Sequence, residues 1–204
     1  MIQLIFNQLH KGLRKNGSRK SDRTDEMHEG IVLEIEKLIP NLHDDYIVEF
    51  EKPIHCAYGN NFKVDIRIKD KKTKELHSVI LVKAIISSLQ KNRANYTNTT
   101  IGEYYRVVGK NPNTNVFYIT ILPNKIPNYV SDKLTRLEDK ESSFVDLSTT
   151  NINLDNAYYG TITYDIDESV DYSTKETFFN TLKIDNVKNI KSDLFQKSVE
   201  NLFG

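Results

Sequence analysis

The chain has no tryptophan, two methionines and a single cysteine among 204 residues. One cysteine, Cys56, excludes an internal disulfide and any cysteine-based zinc site. It fits a reducing compartment, so a cytoplasmic location is the expectation. No apolar run approaches the roughly 18 residues that a membrane span requires, and no membrane partner is expected. The opening segment, MIQLIFNQLHKGLRKNG, lacks the apolar stretch and small-residue cleavage site of a secretory signal. Neither sign of charge is in excess: 28 Lys and Arg balance 28 Asp and Glu. Attraction to a polyanion must therefore come from local clustering. GxxxxGK[ST], GxGxxG after a strand, GxSxG and H-x-x-x-H are all absent, which leaves nucleotide-binding, serine-hydrolase and zinc-hydrolase readings without support.

What is present reads as one α/β domain with three stretches. Residues 1–24 hold a short amphipathic helix and the basic segment KGLRKNGSRKSDR, either a solvated linker or an arm along phosphates. Residues 25–127 carry the strongest pattern. TDEMHEGIVLEIEKLIP is the best helix, with an acidic first turn, a closing Pro40 and a stripe of Met27, Ile31, Ile35 and Leu38. Strands follow at 46–50, 62–68 and 77–83, the last two joined by KDKKTKE, and a largely buried strand at 116–122. Between the last two lie helical pieces around AIISSLQKN and TIGEYYRVV. In residues 128–204, YVSDKLTRLEDK looks helical, AYYGTITYDI looks like a strand, and 174–203 hold one or two amphipathic helices. The expectation is a mixed sheet of four to five strands flanked by helices.

The chemistry concentrates in FKVDIRIKDKKTKELHSVILVKA, residues 62–84. Alternation puts Phe62, Val64, Ile66 and Ile68 on one face and Lys63, Asp65 and Arg67 on the other. In the next strand Val79, Leu81 and Lys83 share a face, opposed by Ile80 and Val82. If the strands pair, Asp65 comes beside Leu81 and Lys83. A carboxylate there suits a hard cation such as Mg2+, and a nearby ammonium can orient water and offset phosphate charge. The same pattern also suits an ordinary half-exposed strand carrying a surface ion pair.

Helix with an acidic residue, strand with Asp, hairpin, strand ending in an E-x-K-type tripeptide, helix and strand is an order that resembles the PD-(D/E)xK nuclease core of type II restriction endonucleases. The likeness runs from about Glu29 to Leu122. KVDIRI stands in the place of the "PD" strand, with Val64 for the proline, and LVKA in the place of E-x-K and a small residue. The resemblance implies a restriction-endonuclease-like fold and Mg2+-dependent hydrolysis of double-stranded DNA at a specific site. It also implies a homodimer cutting both strands, with Asp65 as metal ligand, Lys83 as the catalytic lysine and Glu29 as the leading-helix acid. The polar stretch after the lysine, with Lys91, Arg93, Asn95, Asn98 and Arg106, is where such an enzyme meets DNA; each of these is equally ordinary as a helix-surface residue.

Leu81 departs from the pattern, for it stands where the family has its second acidic ligand. A carboxylate from elsewhere, Glu29 or Glu103, could take that coordination position. Alternatively the chain is an inactivated nuclease, or it is a noncatalytic DNA-binding module on the same fold. An interaction protein whose strand charges are incidental is the remaining alternative.

Overall fold

A computed structural model describes residues 2–16, 25–57, 59–139 and 154–204, with residues 13–16, 25 and 90–93 described in the backbone alone. The basic segment between the first two helices falls mostly outside the described residues. The chain is α/β, built on a six-stranded mixed sheet with helices on both faces. After the one-turn helix α3 (Leu42–Asp45), three strands, β1 (Tyr46–His55), β2 (Asn61–Asp70) and β3 (Leu76–Ala84), form an antiparallel meander. Helix α4 (Leu89–Val108) then crosses over to β4 (Asn115–Pro123), which runs parallel to β3, and β7 (Ala157–Ile166) runs parallel to β4. Parallel neighbours require such crossovers, and helices are the usual device. A short antiparallel strand, β8 (Val187–Lys191), closes the far edge. The sheet therefore has six strands where four to five were expected; β8, VKNIK, is short and polar and has little strand signal of its own.

One face of the sheet is covered by α1 (Gln3–Asn16), α2 (Asp25–Leu38), α5 (Lys175–Thr181) and α6 (Asp193–Phe203). Their buried side chains, among them Phe6, Met27, Ile31, Ile35, Phe178 and Phe195, close on Ile66, Ile80, Val82, Phe117 and Ile119. Each such side chain contributes about 1.5–3 kcal/mol by leaving water. The opposite face carries α4, whose Tyr104 and Val107 pack on Val79, Leu81, Val116 and Tyr118. Gly30 lets α1 and α2 approach: a Cβ there would lie 3.1 Å from the Ile5 Cα. That close approach fixes how α2 is rotated over the sheet.

Three expectations are corrected. The two helical pieces expected near 84–92 and 100–108 are one helix, α4, preceded by Ser88 in the left-handed region. Within YVSDKLTRLEDK, residues 129–139 are not helical but the end of the first strand, the turn and the second strand of a hairpin, β5 (Lys125–Val130) and β6 (Lys133–Asp139). Ser131 and Asp132, both at positive φ, form its tight turn, a geometry that suits hairpins but is usually written with Gly or Asn.

The third correction bears on the site. Ile66 and Ile68 pack under α1 and α2, but Val64 and Phe62 belong to the cluster under α4. Val48 and Phe50 of β1 likewise lie on the first side and Ile54 on the second. Simple alternation would keep each set on one face. The switch falls at Glu51, which has φ 52°, and at Asp65 opposite it, where the ladder of paired residues has its gap. A left-handed residue swivels the hairpin there, and both carboxylates sit on the swivel.

Candidate active site

Asp65 lies where β2 and β3 part. Paired residues between the two strands end at Ile66 and Ile80, while β3 stays paired with β4 through Ala84. Beyond Ile80 the β2-facing edge of β3 has backbone groups to satisfy. The Val82 N–H donates to Asp65 Oδ2 at 2.6 Å, so the carboxylate is wedged into the opening and held there by backbone. Asp65 is half-buried.

Lys83 lies on the same side as Leu81 and is two-thirds buried. It donates to Glu103 Oε1 of α4 at 3.3 Å, and its ion-pair partner is Glu103, not Asp65. Three or four residues separate Glu103 from Thr100 and Val107, both buried, so it rides on the sheet-facing stripe of the helix. Two tyrosines pin that helix: Tyr118 Oη donates to the Thr100 carbonyl at 2.8 Å, and Tyr104 Oη to the Asp155 carbonyl at 2.6 Å. Burial raises the pKa of the Glu103 carboxyl above its ordinary value; Lys83 opposes the rise, the Asp65 charge adds to it, and Arg106 opposes it weakly. Only Lys83 donates to this carboxylate among the described residues, and the second oxygen, Oε2, is buried without a hydrogen-bond partner. A buried carboxylate oxygen with no donor is costly unless something positive meets it.

A second arm reaches Asp65 from the other side. His28 of α2 is almost fully buried, and its Nδ1 lies 3.0 Å from Glu51 Oε1. The imidazole is not aligned on that oxygen, and neither ring nitrogen completes a hydrogen bond. Glu51 Oε2 pairs with Lys63 at 2.5 Å. Ligand atoms of His28, Glu51 and Asp65 all lie within 4.8 Å of one another. Sequence reasoning missed both new members. His28 could have been found, because it sits three residues before Ile31 and four before Val32, on the buried stripe of its helix. Glu51 carried no such signal, since its orientation depends on a backbone swivel.

The remaining candidates separate clearly. Glu29 is exposed on α2; one residue turns a helix by about 100°, and that places His28 inward and Glu29 in solvent. Leu81 is 3% exposed in the cluster beneath α4, paired across the ladder with Tyr118. Asn95 and Asn98 are exposed on α4, while the side chains of Lys91 and Arg93 lie outside the described residues. Arg106 stacks over the Phe62 ring at 4.5 Å, a contact that anchors α4 to the β1–β2 hairpin.

Comparison with known proteins returns no matching family model, no matching curated protein and no matching solved structure. The functional reading therefore rests on the geometry: three carboxylates and an imidazole from four elements around a parting of the sheet, with a lysine on one flank. Such a set can hold divalent cations and bring an ammonium to a substrate phosphate.

Proposed function

We propose that the chain is a Mg2+-dependent endonuclease of the type II restriction kind, hydrolysing phosphodiester bonds in double-stranded DNA at a specific site. The observation that carries this reading is the place of Glu103. Position 81 holds a leucine that serves the core, and a carboxylate from the crossing helix comes instead to the side of Lys83, in the electrostatic reach of Asp65. The acid absent from the strand is thus supplied by the helix.

The donor set fits the ion. Asp65 is held rigidly by the Val82 N–H, and the Glu103 Oε2 is buried and unpartnered. These two residues would hold Mg2+, whose chemistry when bound is to polarise the phosphate and acidify a coordinated water. Lys83, released from Glu103, would orient the attacking water and offset charge growing on the phosphate. The water oxygen bonds to phosphorus as the 3′-oxygen leaves with a proton, so a 5′-phosphate remains. Double-strand cutting calls for two such sites, met most simply by a homodimer acting in the cytoplasm. No described helix is long and apolar enough to cross a membrane.

The test is cleavage of duplex DNA of varied sequence with Mg2+ or Mn2+, comparing wild type, Asp65→Asn and Lys83→Ala. Discrete fragments from wild type, lost in both variants, are expected. If wild type cuts no DNA with either ion but shifts duplex mobility equally with and without Ca2+, the noncatalytic DNA-binding alternative replaces this reading.

A further inference from the structure

We propose that His28, Glu51 and Asp65 form a binding site for a divalent transition-metal ion, with Mn2+ the ion that suits it and Mg2+ disfavoured. The site shares Asp65 with the proposed catalytic pair but uses donors of a different kind, and it stands whether or not the chain cuts DNA.

Three observations carry it. First, the donor atoms converge within 4.8 Å. Ligands bound at about 2.1 Å to one octahedral ion lie about 3–4.3 Å apart, so a small closure completes the set. Second, His28 is 1% exposed and aimed at the two carboxylates, yet neither of its nitrogens has a hydrogen bond. Buried imidazoles are ordinarily satisfied, and a cation between ring and carboxylates would satisfy this one. Third, the donors are placed by rigid structure from three elements: α2, set close to α1 by Gly30; β1, through Glu51 in a left-handed conformation; and β2, through Asp65 braced on Val82.

Ligand chemistry selects the ion. Mg2+ holds water and hard oxygen donors and rarely gives them up for nitrogen, whereas Mn2+ and its neighbours accept imidazole beside carboxylate. Two carboxylates match a charge of +2. Lys63 pairs with the outer oxygen of Glu51 and is 63% exposed, so it can swing into water as the ion enters.

The experiment is isothermal titration of the full chain with Mn2+ and separately with Mg2+, without DNA, on wild type, His28→Gln and Glu51→Gln. Glu51 is partly exposed, so its variant guards against a His28 variant that fails to fold; far-UV circular dichroism checks both. Wild type is expected to bind Mn2+ at least about tenfold tighter than Mg2+. Glu51→Gln should lower Mn2+ affinity about tenfold or more, and His28→Gln should do so while leaving Mg2+ affinity within about threefold. Equal affinity for the two ions, or wild-type Mn2+ binding in a folded Glu51→Gln, overturns the proposal. Mn2+ binding without DNA cleavage would sink only the nuclease reading; cleavage with no Mn2+ preference would sink only this one.

Discussion

The two flanks of Asp65 are built from similar charges and end in opposite states. On the α4 side, Glu103 meets Lys83, and both partners are largely buried. On the α2 side, Glu51 meets an imidazole that cannot complete a hydrogen bond with it. The first flank has its cation already, in the form of the Lys83 ammonium. On the second, Lys63 meets only the outer oxygen of Glu51 and is mostly exposed, while the buried His28 ring completes no hydrogen bond. The difference teaches that carboxylate count alone does not define a metal site; what matters is how deeply each carboxylate's positive partner is buried and which donors beside it are left without a hydrogen bond.

Removing the residue common to both flanks should have the largest effect. Asp65→Asn is expected to lower the cleavage rate at least about 10³-fold, near 4 kcal/mol of transition-state stabilisation, and to weaken Mn2+ binding as well. Single-turnover cleavage and metal titration check the two losses, and a variant losing only one would separate the flanks.

Leu81→Glu puts an acid where the nucleases that the sequence resembles carry one, but places a charge among Tyr104, Val107 and Tyr118. A loss of roughly 3 kcal/mol in urea unfolding is expected, with no gain in cutting. Improved cutting at undiminished stability would show that the strand position, and not α4, is the proper home of the acid.

Lys83→Met should slow cleavage about 10²-fold and move its pH dependence. Burial holds the Glu103 proton more tightly in the folded chain than in the unfolded one, with Asp65 adding to this and Lys83 opposing it. The native state therefore binds the extra proton between the ordinary carboxylate pKa and the raised one. Metal-free stability from this group is complete below the ordinary value and is lost as pH rises through the raised one. Cleavage needs the ionised form and should climb across the same window. Without Lys83 that climb should shift to higher pH, read from the pH–rate profile.

The smallest effects test the boundary of the site. Arg106→Ala is expected to cost about 0.5–1 kcal/mol through the lost contact with Phe62, and Glu29→Gln to leave cleavage and Mn2+ affinity unchanged.

Much of this arrangement was legible in the sequence. Period-two alternation located Asp65 and Lys83 on two strands that do pair, because apolar residues recurring at every second position mark a strand with one face buried. Leu81 stood out as an anomaly against the family pattern the sequence resembles, and Glu103, with Glu29, as a candidate for the compensating acid; only the structure shows that Glu103 lies on the sheet-facing side of its helix. The swivel at Glu51 left no trace, because a left-handed glutamate looks like any other in a list of letters, and with it went the facing of Phe62 and Val64. The hairpin at β5 and β6 was hidden for a related reason: its turn residues are Ser131 and Asp132, with neither glycine nor asparagine to announce it.

The central claim is that α4 supplies the acid that β3 lacks. Duplex cleavage by Glu103→Gln, measured beside wild type at saturating Mg2+, tests it most directly. A drop of at least about a hundredfold, with folding and the Leu81 cluster intact, is the predicted result. Cutting at the wild-type rate by the glutamine variant would contradict it.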